Sequence, residues 1–224
     1  MFKSDREIFE FMNTHLYTAA VNDMLDSLGY QHQSMHHRIR PLLPDRKNCG
    51  FVGRARTFRW METDYVMKED PYGLLIDAMD SLNPGDVIVH SSDYGGVNAP
   101  WGELMSTLAK RSGAAGCICD SQTRDCNRII DMGFPVYCAG IRPLDSKGRA
   151  RVMAYDVPVR CADVLVNTGE LVFSDFDGVV VIPQEIEQKA LQLALEKTSK
   201  ESASRRDLLA GKTLREVFDT HGVL

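Results

Sequence analysis

A mixed α/β domain, with helices packed around a central β layer, is the fold class this sequence predicts. Short apolar runs such as Val87-Ile88-Val89 alternate with segments of helical period. A turn-to-strand design occurs twice, as Asn83-Pro84-Gly85-Asp86 before that run and as Asn167-Thr168-Gly169-Glu170 before Leu171-Val172-Phe173. The stretch from Trp101 to Cys138 reads helix, strand, helix, strand, the order of βαβ units. At 224 residues the chain suits one domain with a large core rather than two linked modules. No low-complexity segment or solenoid period interrupts it.

The elements follow in order. From Thr18 to Gly29, Val21, Met24, Leu25 and Leu28 recur at helical spacing and predict an opening amphipathic helix, with Gly29 as its stop. Tyr30 to Cys49 is polar, holds Pro41 and Pro44, and carries His32, His36 and His37 without metal-like spacing, so it reads as a wrapping loop. Gly53 to Trp60 mixes aromatic and β-branched residues with arginines, as a half-exposed strand does, and Pro71 to Leu82 supplies a helix. After the first turn-to-strand unit come a helix from about Trp101 to Arg111, a buried strand Ala115 to Cys119, a short helix after Thr123 and a strand Pro135 to Cys138. Arg151 to Pro183 is strand-rich. The expected single domain of residues 1–224 ends in a helical tail, about 184–224, which Gly211 splits.

Composition narrows the function classes. With 26 basic and 31 acidic residues the net charge is −5, the wrong sign for a protein that binds by neutralising phosphates, so nucleic acid is not an expected partner. The N-terminus is charged where a secretory signal needs an apolar core, and no apolar run approaches the roughly 20 residues of a membrane span; a cytoplasmic protein without a membrane partner is the expectation. Its six cysteines then read as reduced thiols, and Cys117 and Cys119 lack the partners of a zinc set. Serine-hydrolase, P-loop, zinc-protease and dinucleotide motifs are missing from the sequence.

Chemistry concentrates in two places. Gly95-Gly96-Val97-Asn98-Ala99-Pro100-Trp101-Gly102-Glu103-Leu104-Met105 is a glycine-containing loop that runs into a helix. First-turn amides without intrahelical partners favour an anion, and those of Leu104 and Met105 are the candidates; a loop that only turns the chain is the other reading. One βα unit later an apolar strand ends in Asp120-Ser121-Gln122-Thr123-Arg124-Asp125. Loops beyond strand carboxyl ends hold ligands in open α/β sheets. Arg124 offers a planar fork to a carboxylate or enolate, and Asp125 a hard oxygen to Mg²⁺ or Mn²⁺. The bland alternative places both in a solvated first helical turn. Glu103, which opens the preceding helix, would meet them at the same end of the β layer, and Asp125 binding directly with Glu103 through water suffices for Mg²⁺. Asp175 and Asp177 read as a turn rim, and Lys110 as solvated rather than as a Schiff-base lysine.

Gly102-Glu103-Leu104, twenty intervening residues after Glu103, and then Arg124-Asp125 resemble the signature of the RraA-like and 4-hydroxy-4-methyl-2-oxoglutarate aldolase family. The likeness extends from the Thr18 to Gly29 helix through Ile39-Arg40-Pro41, Val52 to Thr57 and Pro84-Gly85-Asp86 to Asp175 to Pro183. It implies a swivelling α/β/β/α fold, assembled as a homotrimer or homohexamer. It also implies a Mg²⁺- or Mn²⁺-dependent lyase that cleaves a 4-hydroxy-2-oxo dicarboxylate to pyruvate and decarboxylates oxaloacetate through the same enolate. By the same resemblance Asp125 would ligate the metal, Glu103 would hold a metal-bound water, Arg124 would bind the oxo acid, and the Leu104 and Met105 amides its carboxylate. Two departures bear on the substrate: Glu103 stands where aldolases often carry aspartate, and Ser121 replaces the usual glycine of Asp-Gly-x-x-Arg-Asp. The alternatives are a protein-binding regulator of an endoribonuclease, and a metal-dependent hydratase or tautomerase.

Overall fold

The computed structural model describes residues 2–43, 49–92 and 98–223. Helices α1 (Asp5–His15) and α2 (Thr18–Ser27) lead to a short strand β1 (Arg40–Pro41), the long strand β2 (Phe51–Glu62), α3 (Leu74–Asp80) and β3 (Asp86–Ser91). Then come α4 (Glu103–Arg111), β4 (Gly116–Thr123), α5 (Cys126–Met132) and β5 (Val136–Ile141). Strands β6 (Ala150–Tyr155), β7 (Val159–Cys161), β8 (Val164–Val166), β9 (Leu171–Asp175) and β10 (Gly178–Ile182) precede a 3₁₀ turn, α6 (Glu187–Leu209) and α7 (Leu214–His221). This is the expected α/β architecture.

The opening helix is one element earlier than predicted. Ser4 Oγ accepts the Glu7 amide at 3.3 Å and so caps α1, whose Ile8 and Met12 are buried; the charges at its start sit in its first turn. The predicted wrapping loop contributes β1, which pairs antiparallel with β5, and an isolated bridge from Ser34 to Val180. Pro44 of that loop lies outside the described residues.

Strands β2, β3, β4 and β5 run parallel in that spatial order, linked through α3, α4 and α5, while the antiparallel hairpin β9–β10 extends the other edge of β2. From Phe58 to Glu62, β2 also pairs antiparallel with β6, with a register shift between Arg59 and Trp60. Close approach of β2 to the turn before β3 requires Gly53, where a Cβ would lie 2.2 Å from Gly85 O.

Side-chain alternation along these strands sorts the apolar residues between three cores. Val87, Val89, Ile118, Tyr137, Val172, Val179 and Val181 face inward onto the β7–β8 hairpin. Ile88, Cys117 and Val136 face outward under α3, α4 and α5. Leu171, Phe173, Val180 and Ile182 pack beneath α1, α2 and α6. Arg54 fastens that last layer, with its guanidinium 2.5 Å from Asp5 and 2.6 Å from Glu187.

His90 is buried beside the aromatic residues of the outer core. It is stacked on Phe58 at 4.9 Å and accepts the Trp60 indole N–H on Nδ1 at 2.5 Å. Burial pushes its pKa down to about 3. The unfolded chain therefore takes a proton through about pH 6.5 that the folded chain refuses until about pH 3, so this stability is full above 6.5 and falls on acidification. Between pH 7 and pH 5 the wild type should lose about 2 kcal/mol more than His90→Gln, which leaves Trp60 an acceptor; urea unfolding at the two pH values measures it.

Candidate active site

Trp101 sets the site's geometry. It is fully buried, edge-on to His90 at 5.4 Å and stacked near Phe134 at 6.2 Å. Its backbone bridges Thr123 in parallel, and its carbonyl accepts the Arg124 amide at 3.0 Å. The start of α4 thus lies beside the end of β4. Gly102 stands between them, and a Cβ there would come 2.8 Å from Asp125 Oδ2 and 3.3 Å from Arg124 Nε.

These contacts bring the predicted residues together. Asp125 Oδ2 accepts the Glu103 amide at 3.2 Å and lies 3.9 Å from Arg124 Nε. In α4 the first amide to bond back is that of Ser106, to Gly102 O, so the Leu104 and Met105 amides have no intrahelical acceptor. Glu103 Oε1 accepts the Thr107 hydroxyl at 3.0 Å. Glu103, Leu104, Met105, Arg124 and Asp125 all line one cavity of about 260 Å³. The Gly95-Gly96-Val97 part of the predicted loop lies outside the described residues.

Two parts of the site carried no sequence signal. Asp145, in the β5–β6 connection, holds Arg124 Nη2 at 3.3 Å, and that connection is tied to the α4 approach by the Ala99 amide on Leu144 O at 2.8 Å. Tyr72, Leu75 and Ile76 add an apolar part to the lining. Asp120, by contrast, sits inside β4 at 1% exposure, accepting both the amide and the hydroxyl of Ser92 at 2.8 Å. Asp175 caps α2, accepting the Thr18 amide and hydroxyl at 2.8 and 2.7 Å. Lys110 is exposed and donates to Met132 O.

The carboxylates of Glu103, Asp125 and Asp145 line the cavity and are hard oxygen donors, which suit a hard cation that keeps several waters. No trio of histidine, cysteine or acidic residues that would enclose a metal occurs among the described residues. All six cysteines are free thiols, and burial pushes those of Cys117, Cys119 and Cys161 well up. No described helix is long and apolar enough to cross a membrane.

Asp125 has φ 58°, a left-handed conformation that aspartate and asparagine tolerate better than alanine. Asp125→Ala loses both that tolerance and the acceptor for the Glu103 amide, and should cost about 1 to 2 kcal/mol, whereas Asp125→Asn should stay within about 0.5 kcal/mol of wild type in urea unfolding.

The model of the RraA-like family, described as aldolase/RraA, matches residues 18–181. A Halalkalibacterium halodurans protein carrying the provisional name 4-hydroxy-4-methyl-2-oxoglutarate aldolase is 31% identical over 189 residues, covering 84% of this chain and 83% of its own. The solved structure of Streptomyces coelicolor RraAS2, described as an unusual member of the RNase ES inhibitor RraA family, superposes with a TM-score of 0.78 at 29% identity, covering 92% of this chain and 98% of that one. An uncharacterised Pseudomonas syringae pv. tomato protein shares the fold with a TM-score of 0.85 at 24% identity, over 98% and 96% of the two chains. The chain belongs to the RraA-like family.

Proposed function

We propose that this protein is a divalent-metal-dependent lyase that cleaves a 4-hydroxy-2-oxo acid to pyruvate by retro-aldol chemistry and decarboxylates oxaloacetate through the same enolate. The observation that carries the reading is the convergence of Arg124, Asp125, Glu103 and two unbonded helix amides on one cavity, at the distances Gly102 permits. The aldolase name of the Halalkalibacterium halodurans relative supports the reaction class. The homotrimer or homohexamer implied by the family likeness is part of the proposal.

Asp125 would hold Mg²⁺ or Mn²⁺ directly and Glu103 would hold it through a water; bound there, the cation supplies Lewis-acid polarisation of the 2-oxo group. The chain's own residues do the rest. The Leu104 and Met105 amides take the C1 carboxylate at the positive end of α4. Arg124, its far nitrogen fixed by Asp145, donates to the 2-oxo oxygen. Glu103, through a water, takes the C4 hydroxyl proton. The C3–C4 bond then breaks to the second carbonyl product and a pyruvate enolate, whose growing oxygen charge meets a guanidinium already in place. Protonation at C3 releases pyruvate.

Pyruvate should appear from 4-hydroxy-2-oxo acids in the presence of Mg²⁺ and disappear with EDTA. Arg124→Lys should lower kcat about 100-fold or more, because an ammonium cannot present the planar fork. The fold-preserving Asp125→Asn should also lower turnover by about 100-fold or more, through the lost metal ligand. Unchanged turnover in either variant overturns the assignment. A metal-dependent product without pyruvate would favour hydration or tautomerisation, and capture of an endoribonuclease with no activity on any 2-oxo acid would favour the regulator.

A further inference from the structure

Resting on the lyase reading, we infer that Asp145 is a positioning residue of this site, which turns the Arg124 guanidinium toward the oxo acid and acts on the reaction only through that side chain. Two carboxylates flank the guanidinium: Asp125 Oδ2 lies 3.9 Å from Nε, and Asp145 Oδ1 lies 3.3 Å from Nη2. The first distance is beyond a hydrogen bond, so Asp125 does not fix the plane of the group. In the lyase reading its charge is also directed to the metal. Asp145 is then the carboxylate that orients the fork.

Asp145 is itself held. Its Oδ1 also accepts the Ser146 amide at 2.8 Å, and Arg149 Nη1 donates to its carbonyl at 3.1 Å. The connection that carries it is fastened on both sides: the Arg142 amide bonds Thr123 O at 3.1 Å, just before Arg124, and the Ala99 amide bonds Leu144 O at 2.8 Å, on the approach to Gly102. The carboxylate therefore belongs to the same backbone frame as the groups beside it. Folding gains little from the pair, because the two side chains are 37% and 33% exposed and ion pairs open to solvent are weak. An arginine at an exposed turn has many rotamers to lose when a ligand arrives, and a partner that has already fixed it removes that cost. Both residues line the cavity, so the gain falls on the ligand.

A double-mutant cycle in the Mg²⁺-supplemented protein tests the inference, read by calorimetry with oxalate, a planar dianion shaped like the enolate of pyruvate. Asp145→Asn keeps an oxygen for the Ser146 amide and removes the charge. Its unfolding midpoint should stay at the wild-type value while oxalate binds about tenfold more weakly, the coupling expected of two side chains in contact. In pyruvate release from a 4-hydroxy-2-oxo acid the same variant should lower kcat about tenfold and move KM by less than about threefold, because a misaligned guanidinium loses the growing enolate charge more than the bound substrate. Made in an Arg124→Lys protein, the substitution should change oxalate affinity by less than about twofold, since the side chain it acts through is gone. An equal loss in both backgrounds overturns the inference, as does wild-type affinity in Asp145→Asn or a wild type that takes no oxalate. A loss confined to Asp145→Ala, which also strips the Ser146 amide of its acceptor, overturns it too. If the oxalate cycle shows the coupling and no 2-oxo acid yields pyruvate, the lyase reading fails and the positioning role stands.

Discussion

The bare α-carbon of Gly102 is the constraint on which the site depends. Two chain segments meet there, the approach to α4 and the turn from β4 into α5, and the carboxylate of Asp125 lies where a side chain at 102 would begin. Buried Trp101 holds one segment, and its backbone pairing with Thr123 and Arg124 holds the other. Because the approach is set by backbone, the Asp125 carboxylate and the start of α4 keep their relation, while Asp145 holds the Arg124 guanidinium beside them. That is the form of preorganisation that electrostatic stabilisation of an enolate needs.

Asp125 unites stability with chemistry. In a left-handed turn at the start of α5, its carboxylate reaches across to the first amide of α4. The same oxygen is shared with Arg124 at longer range, so it serves as helix cap and as partner of the cation beside it. Strain at this residue is tolerable because aspartate is among the few residues that enter that conformation at modest cost. A local rule of backbone geometry is thus broken where the chemistry is densest.

Legibility in the sequence followed the range of the interactions. The helix at Thr18 and the alternation between Trp101 and Cys138 were readable because helical period and apolar runs are local, and Glu103, Arg124 and Asp125 were found from that order. Helix α1 leaves a weak local mark, because apart from the Ser4 cap and its first-turn charges only Ile8 and Met12 are buried in it. Asp120 stands where a strand-end ligand would, yet β4 continues to Thr123, with Ser121 donating to Asn98 O and Asp120 accepting from Ser92. Asp145 and Ile76 reach the cavity only through tertiary folding, from a connection and a short helix whose local patterns say nothing of a ligand.

This division between local and tertiary contributions also separates reaction from specificity. Arg124, Asp125 and the α4 amides sit at strand and helix ends locked by Trp101, so a change there disturbs both chemistry and packing. Ile76 and Leu104 stand exposed on outward faces of α3 and α4, while the outer core beneath is carried by Leu75, Ala78, Met79 and Ala109. Their side chains can be exchanged at little cost in folding. Under the lyase reading, one scaffold would keep the groups that hold the oxo acid constant while exposed positions around them vary, which is how a common fold comes to serve different substrates.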